Sequence, residues 1–103
     1  MARKEIKTII KEALSSIEYE TVILFGSRAR GDFTEESDYD ILIVLKENLV
    51  IKEKIKLMTQ IRKEFAKEGI DADILIKSKN EINYYNGKIG SVVKSALEEG
   101  ITL

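Results

Sequence analysis

Three short apolar runs, rich in β-branched residues, constrain the fold of this chain more than any other feature of its sequence. They cover residues 21–25, 41–45 and 74–76, and each borders on a glycine or an aspartate. Runs of this length and composition are typical of buried strands. We therefore predict strands at 21–25, 38–45 and 70–76, connected by longer and more polar segments.

The segments outside these strands have the apolar spacing of amphipathic helices. Apolar residues recur every three or four positions from Ile6 to Ile17, and the same spacing returns from Ile51 to Phe65. The pattern Ser78-Lys79-Asn80-Glu81 fits a capping box and predicts the start of a last helix. Asn86-Gly87 and Gly90 interrupt that helix, which leaves open either one broken helix or two shorter ones.

The composition limits the chemistry that the chain can perform. It has no cysteine, which excludes disulfides, thiolate zinc sites and cysteine nucleophiles. It also has no histidine, the commonest general base and transition-metal ligand. Carboxylates remain as bases and metal ligands, and oxygen ligands suit hard cations such as Mg²⁺ or Mn²⁺.

Length and charge bear on domain organisation and partners. A chain of 103 residues suits a single domain over residues 1–103. The net charge of −1 gives no overall attraction to nucleic acid or to a membrane surface. The charged N-terminal segment lacks the apolar core of a signal peptide, and no segment approaches membrane-spanning length, so we expect a cytoplasmic protein.

The first predicted strand leads into a loop suited to phosphate groups. Gly26-Ser27-Arg28-Ala29-Arg30-Gly31 begins and ends with glycine, which allows backbone angles and a close approach that a side chain would block. Consecutive N–H groups in such a loop can point at an anion. Glycine and serine also fill ordinary turns, and each arginine could be a solvated cation, so the loop alone does not identify a site.

Aspartates lead the second and the third predicted strand. Asp38 and Asp40 are two residues apart, so they share one strand face at a spacing of about 6.6 Å and can reach one metal ion or a pair about 4 Å apart. Tyr39 faces the other way. Asp71 and Asp73 lead the third strand and also share a face. The conjunction of loop, acid pair and third acid distinguishes this pattern from ordinary turns.

On these motifs the chain resembles the minimal nucleotidyltransferase family of the DNA polymerase β-like superfamily. Gly26-Ser27 matches the loop of that family, and Asp38-Tyr39-Asp40 matches its metal-binding pair. Asp73 best matches its third carboxylate, with Asp71 as the alternative. The resemblance implies an α/β (α+β) fold, in which a small mixed β-sheet carries helices packed mainly on one face.

The resemblance also implies a reaction and the residues that perform it. A nucleoside monophosphate, AMP from ATP, would be transferred to a hydroxyl acceptor with Mg²⁺ or Mn²⁺ bound by the acids. One of the two loop arginines would add a charge-assisted contact to the phosphates. The implied residues are Asp38, Asp40 and Asp73 for catalysis and metal binding, and Gly26, Ser27, Arg28 and Arg30 for nucleotide binding.

In the family, such small domains are often paired with an all-helical HEPN toxin, which the transferase neutralises as an antitoxin by adding AMP to a tyrosine. Larger members carry a further helical domain, so a partner or a second copy of this chain is expected to complete the site. Two other functions stay open: a non-catalytic module that neutralises a partner by contact, and transfer to a small molecule or RNA. The near-neutral charge disfavours RNA.

Overall fold

The centre of the molecule is a four-stranded β-sheet. The computed structural model of the chain describes residues 5–86 and 92–103. Each of the three predicted strands is confirmed, with starts that differ by one or two residues from those predicted, and a two-residue strand follows near the end of the chain. The strands are β1 (Tyr19–Phe25), β2 (Tyr39–Leu45), β3 (Ala72–Ser78) and β4 (Ile101–Thr102).

The sheet is mixed and has the order β3-β2-β1-β4. Strands β1 and β2 are antiparallel, so the end of β1 lies beside the start of β2. Strands β2 and β3 are parallel, which brings the start of β3 to the same edge. In this register Asp40 lies between Phe25 and Asp73. The glycine turn and the acids that lead two strands therefore meet at one edge of the sheet.

The helices differ from the predicted ones at two places. The first helix ends before Ile17, because the chain leaves it through turns at Ser15 and Ile17. A short helical turn occupies the segment that was predicted as an open loop. The last predicted helix is described as two helices, and Gly87, Ile89 and Gly90 lie outside the described residues. The helices are α1 (Ile6–Ala13), α2 (Ser27–Arg30), α3 (Ile51–Lys67), α4 (Lys79–Asn86) and α5 (Val92–Glu99).

The main hydrophobic core lies on one face of the sheet. There α1 and α3 cover the side chains of Ile41 and Ile43, and Phe65 of α3 is fully buried. A smaller cluster on the opposite face joins Leu42 to Ala96 of α5. The expected one-sided packing holds for the larger core, which α1 and α3 cover, whereas α4 and α5 cover the opposite face. No helix in the described part of the chain is long and apolar enough to cross a membrane.

The predicted capping box is confirmed at the start of α4. The Glu81 N–H donates to Ser78 Oγ and the Ser78 N–H donates to Glu81 Oε1, each over 3.2 Å. The Lys54 ammonium of α3 donates to the same carboxylate, and Lys77 lies 3.8 Å from it. Burial raises the pKa of Glu81, but the hydrogen bonds and the two lysine charges outweigh it and lower that pKa. The box therefore also ties α4 to α3.

Candidate active site

Gly26 directly follows β1 and lies against Asp40 of β2. Its φ of 73° is in the region that side chains disfavour, and so is the φ of 88° at Gly31, which ends α2. A Cβ placed on Gly26 would overlap Oδ2 of Asp40 and would lie 3.1 Å from Cγ of that residue. Both the backbone angle and the space therefore require glycine, and the turn can approach the Asp40 carboxylate.

The charges of two acids and one arginine act on the carboxylate of Asp40. Partial burial raises the pKa of Asp40, and the charges of Asp73 and Asp38 raise it further, whereas the charge of Arg30 lowers it. Asp73 is the register partner of Asp40. Asp71, the alternative third acid, is not among the described groups that shift this pKa. The structure thus brings Asp73, rather than Asp71, beside Asp40.

The acids at this edge are suited to a cation that is also bound by oxygen atoms of a substrate. Within residues 5–86 and 92–103, no group of three acidic side chains is arranged to hold one ion. The mutual repulsion that raises the pKa of Asp40 is what a cation would relieve. Mg²⁺ is commonly bound by one or two carboxylates together with substrate phosphates. The carboxylates at this edge fit that mode better than a site made by the protein alone.

Arg28 makes several contacts with the connection between α2 and β2. Its Nε and Nη2 donate to the Ser37 carbonyl over 3.2 and 3.0 Å, and Nη2 also donates to that of Glu35 over 3.2 Å. Its guanidinium lies 4.4 and 4.3 Å from the ring centres of Phe33 and Tyr39. These contacts hold the connection that precedes Asp38. Arg28 therefore positions this connection, and its contact with a bound phosphate stays a prediction.

Arg30 is the loop arginine that stays at the acid edge. It lies 3.4 Å from Asp32 and 3.6 Å from Glu99 of α5, and about half of its side chain is exposed. Exposed pairs of this kind contribute little to stability and exchange partners readily. The charge of Arg30 also lowers the pKa of Asp40, and its contact with a bound phosphate stays a prediction.

Two hollows flank the acids and share Arg62 of α3, a residue that the sequence did not single out. One hollow, of about 410 Å³, contains Asp38, Asp71 and Asp73. The other, of about 280 Å³, contains Asp40 and Asp73 against an apolar wall. The Arg62 Nη2 lies 3.8 Å from Asp73 Oδ1. In the sequence Arg62 belongs to a helix face that reads as solvated surface, and no motif links that face to the site.

The mixed sheet, with a glycine turn and acids at one edge, is the arrangement of a nucleotidyltransferase. Residues 3–102 match the family described as nucleotidyltransferase domain, and the chain belongs to that family. This confirms the class of enzyme and the family resemblance that the motifs indicated.

Proteins of the archaeon Methanocaldococcus jannaschii are similar in sequence, and each is named "Putative protein adenylyltransferase". One is 46% identical over 74 residues, which are 72% of this chain and 66% of that protein. A second is 41% identical over 83 residues, or 80% of this chain and 75% of that protein. A third is 32% identical over 103 residues, or 94% and 92%.

Solved structures show the same fold. A crystal structure of a "putative nucleotidyltransferase" from Sulfolobus solfataricus has a TM-score of 0.64 at 24% identity, over 93% of this chain and 73% of that one. A toxin–antitoxin structure with AMP-PNP has a TM-score of 0.63 at 19% identity, over 95% of this chain and 72% of that one. At these identities the likeness establishes the fold.

Proposed function

We propose that the chain transfers AMP from ATP to a hydroxyl group of a partner protein. The observation that carries this proposal is the contact of the Gly26 turn with Asp40, which has Asp73 beside it in the sheet. The N–H groups of a turn that contacts Asp40 can bind a chain of phosphates. The cation carried by those phosphates would then lie within reach of the neighbouring carboxylates. The names of the Methanocaldococcus relatives support protein as the acceptor class.

The roles of the residues follow from their positions. Asp38 and Asp40 would hold Mg²⁺, or Mn²⁺ in its place, which neutralises charge on the phosphates when bound. The backbone of Gly26 and Ser27, the Ser27 hydroxyl and the Arg30 guanidinium would bind the β- and γ-phosphates.

Asp73 would take the proton of the acceptor hydroxyl. A bond forms between the acceptor oxygen and the α-phosphorus, the bond from that phosphorus to the bridging oxygen breaks, and pyrophosphate leaves. Without histidine in the chain, a carboxylate is the base available for this step.

We further propose that the acceptor is a tyrosine of a helical HEPN-type toxin and that its modification makes this chain an antitoxin in the cytoplasm. The toxin–antitoxin structures of the same fold support this pairing.

The test is transfer of label from α-³²P-labelled ATP, with Mg²⁺, to the protein encoded by the neighbouring gene. We expect label on that protein with the unmodified chain and none with the double variant Asp38→Asn, Asp40→Asn. Label on RNA or on a small molecule would redirect the proposal to another acceptor. Neutralisation of the partner by the double variant, without label, would favour inhibition by contact.

A further inference from the structure

The order of the strands places the site residues in a row. Ser27 follows β1, Asp40 lies on β2 and Asp73 lies on β3. Arg62 lies on α3, which packs against the outermost strand β3, and its guanidinium lies near Asp73. The row therefore begins at the glycine turn and ends at Arg62.

Nucleotidyl transfer requires the acceptor and the leaving pyrophosphate to lie at opposite ends of this row. The attacking and the leaving oxygen lie roughly in line, on opposite sides of the phosphorus. If the β- and γ-phosphates occupy the turn after β1, pyrophosphate leaves toward that end. The acceptor must then approach from the β3 end, where Arg62 and the hollow of about 410 Å³ lie.

Arg62 is free to change its partner. Its Nη2 lies 3.8 Å from Asp73 Oδ1, which is longer than a hydrogen bond. The two side chains are 54% and 65% exposed, so water screens their attraction and little holds them together. Arg62 lines both hollows, and its guanidinium lies beside Asp73, which also lines both.

We propose that Arg62 binds and positions the acceptor: its guanidinium binds a main-chain carbonyl of the partner segment that carries the hydroxyl group, and this segment lies in the larger hollow. This inference rests on the proposed function. A carbonyl fits better than a carboxylate, because Asp38, Asp71 and Asp73 line the same hollow and would repel a further negative charge. Ala66 and Ile70 give the hollow an apolar side for the segment.

The test compares Arg62→Ala and Arg62→Lys with Lys63→Ala, which removes an exposed positive charge from the next position of α3. Transfer is measured against partner concentration at saturating ATP, and AMP-PNP binding with Mg²⁺ is measured by calorimetry. We expect Arg62→Ala to raise the KM for the partner about tenfold, as for the loss of one charge-assisted hydrogen bond, with AMP-PNP affinity unchanged. Arg62→Lys should lie between, and Lys63→Ala should match the unmodified chain.

A second measurement follows binding of the partner and does not require AMP transfer. In the double variant Asp38→Asn, Asp40→Asn, Arg62→Ala should weaken partner binding by a similar factor. Weakened AMP-PNP binding with an unchanged KM for the partner would overturn the inference, and so would an equal effect of Lys63→Ala. If the unmodified chain labels no partner, the proposed function fails; if it labels and Arg62→Ala labels equally well, only the inference on Arg62 fails.

Discussion

At the scale of single residues, the geometry of the site depends on a glycine that touches an acid. Gly26 and Gly31 both have positive φ, at 73° and 88°. Only at Gly26 does the added Cβ meet a neighbour, Asp40, whereas nothing lies within 4 Å of a Cβ on Gly31. A substitution at Gly31 therefore strains the backbone alone, whereas one at Gly26 strains the backbone and also displaces the Asp40 carboxylate.

We expect Gly26→Ala to reduce AMP transfer by at least about a hundredfold, because Asp40 must move from its place beside Asp73. Gly31→Ala should carry a backbone strain of about 1–3 kcal/mol yet keep the transfer rate of the folded protein. Transfer assays and urea unfolding of both variants check this. Equal rates for the two variants at equal folded fraction would contradict the role given to Gly26.

Arg28 illustrates a residue whose motif position indicates one role and whose contacts indicate another. Arg28→Ala removes three hydrogen bonds and two ring contacts from the connection before Asp38. We expect a loss of about 1–2 kcal/mol of unfolding free energy by urea denaturation, together with slower transfer. Arg30→Ala, at an exposed position, should change stability by less than about 0.5 kcal/mol but weaken nucleotide binding. The reverse ranking in stability would refute this assignment.

At the scale of elements, the capping box at α4 makes stability depend on pH. The pKa of Glu81 is lowered from its ordinary value of 4.5, so folding favours the ionised carboxylate. The stabilisation is fully present above pH 4.5 and is lost as pH falls through the lowered pKa. We expect Glu81→Gln to cost about 1 kcal/mol at pH 7 and progressively less below pH 4.5.

Urea unfolding of Glu81→Gln and of the unmodified chain at several pH values measures this difference. Glu36→Gln, on an exposed connection, serves as the control and should stay within about 0.5 kcal/mol of the unmodified chain. A cost of Glu81→Gln that does not shrink in acid would show that the carboxylate charge contributes nothing to the cap.

Elements with a strong periodic signal could be predicted from the sequence, and short ones could not. Strands β1 to β3 carry unbroken apolar runs, helix α3 carries a long apolar repeat, and the Ser78–Glu81 box marks the start of α4. Helix α2 is a single turn between two glycines and β4 has two residues, so neither is long enough to repeat its period. The single-domain organisation over residues 1–103 stays a prediction.

The candidate site divides in the same way. The motifs named Gly26, Asp40 and Asp73, but strand alternation put Asp71 and Asp73 on one face. The pairing of β2 with β3 is what sets Asp73 beside Asp40. The partners of Arg28 and the approach of Arg62 to Asp73 arise from tertiary packing between segments far apart in the chain. No local pattern in the sequence encodes such contacts.

At the scale of the whole molecule, the sheet gathers acids that, in the described part of the chain, do not by themselves form a closed metal site. We therefore expect metal and nucleotide to bind together: Mn²⁺ alone should bind weakly, and AMP-PNP should increase its affinity at least about tenfold. Electron paramagnetic resonance of free Mn²⁺ measures this directly. Tight Mn²⁺ binding without nucleotide, or equal enhancement in Asp40→Asn, would contradict the coupling.

The central claim is that the chain uses Asp38, Asp40 and Asp73 to transfer AMP to a partner protein. The intact mass of that partner after incubation with ATP and Mg²⁺ tests this claim most directly. We expect a gain of one AMP with the unmodified chain and with Asp71→Asn. Asp40→Asn and Asp73→Asn should slow the gain by at least about a hundredfold. A partner whose mass does not change, or that gains AMP equally fast with Asp40→Asn, would contradict the claim.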